Sequence, residues 1–199
     1  MRDFRIKGTV YHGTICEIDQ VDLRAGRGYK DFGRGFYLAY NKTQAIGVAN
    51  KNYKLADRRQ EHVARNLYAF DTLQSGFDKC ETKVFQDADE EWLDFILMCR
   101  KSGSTPHNFD VVVGPTADDD DTSMCLNMYW EGVYGAVGSS DAKQTLLRNL
   151  EVENLGIQVF IGTEKGLSIL CNKRKLEVWN GRRKSTNGDC LKSNLFSKI

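Results

Sequence analysis

A stretch of glycines interleaved with aromatic residues, at positions 26–40, is the feature that most limits how this chain can fold. Gly28, Gly33 and Gly35 precede the mostly aromatic run 36–40. Glycine has no Cβ and reaches positive φ at little cost, so such a backbone can approach another group closely. The run 36–40 is typical of a short strand, and residues 41–43 offer a cap for a helix over 44–50. The pattern predicts a glycine loop that leads into a strand beside a pocket.

This glycine loop does not have the Rossmann dinucleotide-binding fingerprint. Segments 26–28 and 33–35 both lack the third glycine at the required spacing. We therefore exclude a Rossmann fold.

Length and composition favour one compact domain in the cytoplasm. The chain has 199 residues, 41% of them hydrophobic, and its net charge of +1 points to no class of partner by itself. It has no apolar run of about 18 residues and begins with charged residues, so we expect neither a membrane span nor a signal segment. The six cysteines are scattered without a Cys-x-x-Cys motif, which favours reduced thiols, and we predict no metal site.

The composition changes near residue 172, where basic residues accumulate. We predict a main domain over residues 1–175 and a basic C-terminal extension over 176–199, in which 176–179 can add a strand. The extension could contact a target or a partner protein, or be a frayed end.

Hydrophobic periodicity predicts strands interleaved with helices. The expected strands lie near Tyr11, Tyr37, Tyr68, Val112 and Val159. The expected helices cover 15–21, 87–101, 122–135, 140–152 and 163–171, with N-caps at Asp87, Ser140 and Thr163. The four aspartates at 118–121 are typical of a solvated turn, because they lack the spacing of calcium ligands.

Three polar residues, His12, Gly13 and Thr14, end the first predicted strand. A histidine, a glycine backbone and a hydroxyl at one strand end form a compact set suited to sugar hydroxyls and an amide. For His12 alone, a capped strand end is the alternative interpretation. In the following loop, Arg24 and Arg27 either face a pyrophosphate, which guanidinium matches in geometry, or are solvated.

Several blocks in order carry a family resemblance. Tyr11-His12-Gly13-Thr14 and the block 32–39 resemble the first two motifs of the ADP-ribosyltransferase superfamily, in its His-Tyr-Glu branch. With the blocks 91–95, 109–115 and 158–160, the chain resembles, over residues 8–171, a bacterial domain-of-unknown-function family of that superfamily, often found as the toxin of toxin–antitoxin pairs. The resemblance implies an α+β fold in which split, mostly antiparallel β-sheets surround an NAD cleft with flanking helices.

The resemblance also implies which residues contact NAD, the substrate. In this arrangement His12 binds the ribose, the backbone of Gly13 binds the carboxamide, and Thr14 lies against the adenosine side. Tyr37 stacks on the nicotinamide ring. The phosphates contact either Arg34 with Gly35 or Arg24 and Arg27. Many relatives have a second stacking tyrosine where this chain has Val48. Tyr53 or Tyr40 could substitute for it.

Gln158 occupies the place of the superfamily's catalytic glutamate, which completes a predicted catalytic set of His12, Tyr37 and Gln158. An amide can bond ribose hydroxyls, but it cannot carry the charge that stabilises an oxocarbenium-like centre. Several explanations remain open: a target with its own reactive group, slow turnover, a merely structural strand-edge glutamine, or another acid. The candidate acids are Glu164, Asp31, Glu153 and Asp119.

The function implied is NAD-dependent transfer of ADP-ribose to a macromolecule with release of nicotinamide, by a bacterial toxin or phage-defence effector. Nucleic acid is favoured over protein as acceptor, because a basic helical face is predicted from Lys51, Lys54, Arg58, His62 and Arg65. An antitoxin protein is the expected partner of a toxin. The alternatives are mono-ADP-ribosylation of a protein, a silent module that binds NAD or ADP-ribose, and an interaction domain that binds neither.

Overall fold

A seven-stranded sheet forms the centre of the computed structural model, which describes residues 8–117, 120–150 and 155–179. The strands are β1 (Thr9–Thr14), β2 (Phe36–Ala39), β3 (Arg65–Thr72), β4 (Thr82–Val84), β5 (Val111–Pro115), β6 (Ile157–Ile161) and β7 (Leu170–Trp179). The helices are α1 (Lys42–Arg58), α2 (Gln74–Phe77), α3 (Glu90–Lys101), α4 (Asp120–Trp130), α5 (Ser140–Asn149) and a short 3-10 helix (Gly166–Ile169).

The strand order is β4-β5-β6-β2-β1-β3-β7, with antiparallel pairing everywhere except between β4 and β5. The predicted α+β class and mostly antiparallel sheet are confirmed. The strands form one continuous sheet, whereas the resemblance implied separate sheets. The sheet nevertheless almost divides between β1 and β2, because Tyr11 and Ala39 are the sole residue pair in that ladder.

The two faces of the sheet are covered differently. On one face, α3, α4 and α5 pack over β5 and β6 around Trp92 and Phe160, while α1 covers a small cluster that includes Ala39 and Leu67. On the other face, Val10, Phe36 and their neighbours lie under the loop 15–23, α2 and the 3-10 helix. Alternate residues of each strand therefore belong to different cores.

Gly13 allows α1 to lie directly on β1. A Cβ at this position would lie 1.7 Å from the backbone oxygen of Ala45 in α1. The glycine of the His-Gly-Thr segment is thus required for packing, whatever else it contacts.

The segment 15–21 is not a helix, contrary to the sequence-based expectation. Distant side chains hold it as a loop: Asn66 donates to the Cys16 carbonyl at 3.1 Å, and Tyr68 accepts from the Ile18 amide at 3.0 Å. Lys173 donates to the Ile18 carbonyl at 2.7 Å. These bonds satisfy backbone groups that a helix would otherwise have paired.

Most helix boundaries differ from the expected ones by a few residues, but the helix expected over 163–171 is wrong. A 3-10 helix covers only Gly166–Ile169, and β7 begins at Leu170, where its backbone pairs with β3. The N-cap of α3 is Asp89, whose side chain accepts from the Trp92 amide at 2.9 Å, and that of α5 is Ser139. Both caps lie at the position from which a side chain reaches the free amides of the first turn. The helix expected over 122–135 ends at Trp130, before the positive-φ residue Gly132.

Strand β7 pairs with β3 and runs through the expected domain boundary at residues 175 and 176. The basic extension beyond Trp179 lies outside the described residues, as do Asp118, Asp119 and Glu153. In the part of the chain that the structure describes, no helix is long and apolar enough to cross a bilayer.

Candidate functional site

His12 lies where β1 and β2 separate. Its Nδ1–H donates to the backbone carbonyl of Tyr37 at 2.7 Å, and its ring stacks on Phe36 with centroids 4.4 Å apart. Burial lowers the pKa of His12 and outweighs the bond to Tyr37, which raises it. The imidazole is therefore neutral near pH 7, with Nε2 as a hydrogen-bond acceptor.

Thr14 ends β1 by capping the turn that follows it. Its Oγ1 accepts from the Cys16 amide at 3.1 Å, while its backbone pairs with Asn66 of β3. The Thr14 hydroxyl is half-buried and already has a structural role at the strand end.

Tyr37 braces the glycine loop. Its hydroxyl accepts from the Phe32 amide at 3.0 Å and donates to the Gly33 carbonyl at 2.7 Å. The half-buried ring packs edge-on against Phe160, with centroids 5.1 Å apart. Tyr37 therefore fixes the shape of the loop before β2.

The glycine loop makes the close approach that the sequence predicted, and the groups that it approaches are other parts of the same chain. Gly33 has φ +89°, and a Cβ there would lie 3.0 Å from Thr105. A Cβ at Gly35 would lie 2.4 Å from the Ile161 oxygen of β6. Thr105 also bonds both backbone groups of Arg34, accepting at 3.0 Å and donating at 2.8 Å.

Gln158 belongs to a buried polar network. Its Nε2 donates to the Oδ2 atom of Asp31 at 2.7 Å, and the Ala117 amide donates to the same oxygen at 2.7 Å. Arg100 donates from Nε to the Oδ1 atom of Asp31 at 2.7 Å, and from Nη2 to the Ala117 carbonyl at 2.7 Å. Asp31 is 2% exposed and Gln158 is 7% exposed. Of the alternative acids proposed from the sequence, Asp31 is thus in direct contact with Gln158.

The predicted catalytic residues do not share one face of the sheet. Gln158 and Tyr37 lie on the face of α3, where Phe160 of β6 pairs with Tyr37 and Gln158 pairs with Ala39. His12 lies with Phe36 on the opposite face. The structure therefore joins His12 to Tyr37 through a backbone carbonyl and joins Gln158 to Asp31.

A cavity of about 630 Å³ opens beside the glycine loop. It is lined by Asp22, Leu23, Arg24, Arg34, Gly103, Ser104, Thr105, Gly162, Thr163 and Glu164. Two of the predicted phosphate-facing arginines, Arg24 and Arg34, and the candidate acid Glu164 thus meet at one cavity. Arg27, Tyr37 and Gln158 do not line it, nor does His12.

Asp110 anchors the far wall of this cavity, a role that the sequence did not reveal. Its carboxylate accepts from the Thr163 hydroxyl at 2.5 Å and pairs with Lys165 at 2.9 Å. Burial raises the pKa of Asp110, but these bonds and the one from the Glu81 amide outweigh it and lower the pKa overall. Asp110 therefore fixes the segment that carries Glu164.

A second cavity, of about 470 Å³, lies near the start of β6 and is lined by Tyr40, Asn41, Gln44, Thr116, Leu155, Gly156 and Ile157. Burial raises the pKa of Tyr40, whose hydroxyl is buried without a hydrogen-bond partner among the described residues. Tyr40 and Tyr53 are the two possible substitutes for the second stacking tyrosine. The guanidinium carbon of Arg65 lies 4.7 Å from the centroid of the Tyr53 ring.

The predicted basic face is smaller than the sequence indicated. Lys51, Lys54 and Arg58 are exposed on α1, and His62 is exposed after it. Arg65 is half-buried in β3, where it stacks on Tyr53 and donates to Asn50 at 3.0 Å. Arg65 does not belong to the basic face, because α1 ends at Arg58 and Arg65 begins β3.

No group of three or more histidine, cysteine and carboxylate side chains in the described ranges could hold a metal ion. A family model for a protein of unknown function, DUF3990, matches residues 9–171. No curated protein and no solved structure matches the chain.

Proposed function

The chain belongs to the DUF3990 family, whose function is unknown. We propose that it transfers ADP-ribose from NAD to a macromolecule, the activity that its resemblance to the ADP-ribosyltransferase superfamily implies. In this reaction the bond between C1′ of the nicotinamide ribose and the pyridinium nitrogen breaks. Nicotinamide leaves with the electron pair, and a nucleophile of the acceptor forms a new bond to C1′ and loses a proton.

The observation that carries this proposal is the opening of the sheet at His12. Beyond the pair of Tyr11 and Ala39, the residues 12–14 form no ladder with β2. A neutral His12 can accept a ribose hydroxyl at Nε2, while backbone groups at the opening suit a carboxamide. A polar strand end of this kind supports recognition of a nucleoside with an amide.

The cavity beside the glycine loop supports a diphosphate as part of the same substrate. Its volume of about 630 Å³ is in the range of small-molecule sites. Arg24 and Arg34 supply two guanidinium groups, which bind phosphate oxygens through paired N–H donors. Two acids, Asp22 and Glu164, line the same cavity.

A nucleobase is the acceptor that we favour, because exposed Lys51, Lys54 and Arg58 give α1 a basic surface. An amine of a base is already nucleophilic and needs little help from a general base. Transfer to a protein carboxylate is the alternative acceptor chemistry. We propose a role as a toxin or phage-defence effector in the cytoplasm, with an antitoxin protein as partner.

One observation favours a second function, a module that binds NAD or ADP-ribose without cleaving it. Gln158 is buried, and its neighbour Asp31 is already paired with Arg100. An acid that is engaged in a buried ion pair is poorly placed to stabilise an oxocarbenium-like centre in a separate cavity.

The test is incubation of the purified protein with adenylate-labelled NAD and whole-cell lysate, followed by nuclease or protease treatment. Label that disappears with nuclease and survives protease supports nucleic acid as acceptor, and the reverse supports protein. Binding of NAD without release of nicotinamide would overturn the transferase function and support the binding module. No binding of NAD would overturn both functions.

Matched arginine variants connect the activity to the cavity. Arg34→Gln should raise the KM for NAD about tenfold, which corresponds to the loss of about 1.4 kcal/mol of binding. Arg27→Gln is the control, since Arg27 is exposed in the same loop but does not line the cavity. Equal effects of the two changes would show that the cavity does not bind the phosphates.

A further inference from the structure

Three charged side chains of the cavity beside the glycine loop are not paired with one another. Arg24, Arg34 and Glu164 all line it, and none of their side chains makes an ion pair or hydrogen bond with a residue that the structure describes. Asp22, the other acid of the lining, is already engaged, because its Oδ1 atom accepts from the Arg24 amide at 2.8 Å. The cavity therefore offers a ligand two cations and one acid.

Arg34 and Glu164 extend from the same end of the sheet. Strands β2 and β6 are antiparallel, and Phe36 pairs with Ile161, so the residues before β2 and after β6 lie at one edge. The backbone of Arg34 is fixed there by two hydrogen bonds with the Thr105 hydroxyl.

The segment that carries Glu164 is fixed as well. The Thr163 hydroxyl donates to Asp110 and accepts from the Gly166 amide at 3.1 Å. Lys165 pairs with Asp110 at 2.9 Å, so the cation that follows Glu164 in the sequence is already neutralised. The Glu164 carboxylate is thus an exposed charge on a fixed backbone.

The other hydroxyl groups of the lining are also occupied. Ser104 shares a hydrogen bond with Ser102 at 2.9 Å, and the Thr105 hydroxyl donates to the Arg34 carbonyl at 2.8 Å. The Glu164 carboxylate is therefore the acceptor of this lining that the described part of the chain leaves free.

The order of groups in a dinucleotide indicates what Glu164 would meet. His12, which the proposed function assigns to the nicotinamide ribose, does not line the cavity, whereas Arg24 and Arg34 do. With the two phosphates at these arginines, the next group in the cavity is the adenosine ribose. Its 2′- and 3′-hydroxyls are donors, and the two oxygens of a carboxylate can accept from both.

We propose that Glu164 binds the two hydroxyls of the adenosine ribose and makes the protein select NAD over NADP. The proposal rests on the proposed function, because it takes NAD as the substrate. In NADP a phosphate replaces the 2′-hydroxyl, which removes a donor and adds a charge of about −1.5 to −2. The diphosphate already occupies Arg24 and Arg34, so the added charge meets the Glu164 carboxylate and is repelled.

This selectivity follows from the chemistry of the groups and needs no particular fold. In Rossmann domains an acid at the 2′-hydroxyl selects NAD, and an arginine there accommodates the 2′-phosphate of NADP. Glu164 would contact the end of NAD that is remote from the C1′ atom at which the bond breaks. It is therefore a binding residue, not the acid that replaces the catalytic glutamate.

The experiment measures binding of NAD and NADP to the full chain by calorimetry. The wild type should bind NAD at least about tenfold more tightly than NADP, because hydrogen bonds to a charged group are lost and repulsion is added. In Glu164→Gln this preference should fall to about threefold or less, since the amide accepts a hydroxyl but carries no charge. In Glu164→Lys, NADP should bind at least as tightly as NAD, because the ammonium attracts the 2′-phosphate.

An analogue of NAD that lacks the 2′-hydroxyl of the adenosine ribose tests the hydrogen bond without added charge. The wild type should bind it about tenfold more weakly than NAD. Glu164→Ala has no acceptor for this hydroxyl and should bind NAD and the analogue equally. Thermal unfolding of the Glu164 variants should match the wild type, because the side chain is exposed and unpaired among the described residues.

Asp22→Asn is the matched control, because it removes one negative charge from the same lining. An asparagine can still accept from the Arg24 amide, so the turn is kept. This variant should keep the preference for NAD to within about twofold of the wild type. An equal loss of preference in Asp22→Asn and Glu164→Gln would show that net charge, and not a contact with Glu164, sets the selectivity.

The outcomes separate this proposal from the function on which it rests. A wild type that binds NAD and NADP equally, or folded Glu164 variants that keep the preference for NAD, would overturn the proposal alone. A wild type that neither binds NAD nor releases nicotinamide would overturn the proposed function and this proposal with it. Loss of the preference in the Glu164 variants, together with its retention in Asp22→Asn, supports Glu164 as the residue that selects NAD.

Discussion

The imidazole of His12 donates to the backbone carbonyl of Tyr37 at 2.7 Å, at the place where β1 and β2 stop pairing. A side chain therefore satisfies a carbonyl that an adjoining strand would normally satisfy. The same bond fixes the tautomer of His12, leaving Nε2 as the acceptor. One contact thus connects the opening of the sheet to the chemistry that a ligand would meet there.

We expect stability to fall as the pH drops below about 6.5, the ordinary pKa of histidine. Burial lowers the pKa of His12 and of His107 in the folded protein. Between the folded pKa and about 6.5 the unfolded chain binds more protons, so stability increases with pH through this window. The slope is at most about 1.4 kcal/mol per pH unit for each histidine. Urea unfolding between pH 7.5 and 5 measures it.

His12→Gln should reduce this slope, because a glutamine can still donate to the Tyr37 carbonyl but does not titrate. His62→Gln, at an exposed position, is the matched control. A slope that is unchanged in His12→Gln would show that His12 does not resist protonation in the folded state.

Gly13→Ala should destabilise the protein by at least about 1–3 kcal/mol, the usual cost of overpacking. The new methyl group would meet the backbone oxygen of Ala45 at 1.7 Å, so α1 would have to move away from β1. Gly47→Ala is the control within α1, where an added Cβ meets nothing within 4 Å. That change should stabilise the helix by about 0.5–1 kcal/mol. Thermal unfolding of both variants decides the matter, and a tolerated Gly13→Ala would contradict the tight packing of α1.

Tyr37→Phe should loosen the glycine loop. The change leaves the Phe32 amide and the Gly33 carbonyl without the hydroxyl that bonds both, at a cost of about 1–3 kcal/mol. Tyr29→Phe provides the control in the same loop, because Tyr29 is 67% exposed. Limited proteolysis should cut the loop faster in Tyr37→Phe, whereas similar rates in the two variants would contradict a bracing role.

Local patterns were sufficient to predict most of the strands. Alternating or continuous apolar residues located β1, β2 and β6 correctly around Tyr11, Tyr37 and Val159. The loop at 15–21 could not be predicted, because the side chains that hold it, such as Asn66 and Tyr68, come from distant strands. A local helical pattern has no information about such partners.

The candidate site could be predicted only in part, because its contacts also join residues that are distant in the sequence. The glycine loop, Arg34 and Gln158 were identified from sequence, and the cavity beside Arg34 and the buried position of Gln158 came from the structure. The contact of Gln158 with Asp31 spans 127 positions, and Arg100 was not singled out at all. In the sequence Arg100 is an ordinary cation in the last turn of a helix, a place that favours such residues without any partner.

Arg100→Met should destabilise the protein by about 3–5 kcal/mol, the usual cost of leaving a buried charge without its partner. The side chain of Asp31 is 2% exposed, so water cannot replace the guanidinium. Lys101→Met is the matched control, because Lys101 is exposed in the same turn of α3. The double variant Asp31→Asn/Arg100→Met removes both charges and should regain at least about half of the lost stability. Urea unfolding at pH 7 compares the four proteins. If Arg100→Met and Lys101→Met cost the same, the Asp31 carboxylate does not depend on Arg100 for its charge, and the network that orients Gln158 is weaker than its geometry indicates.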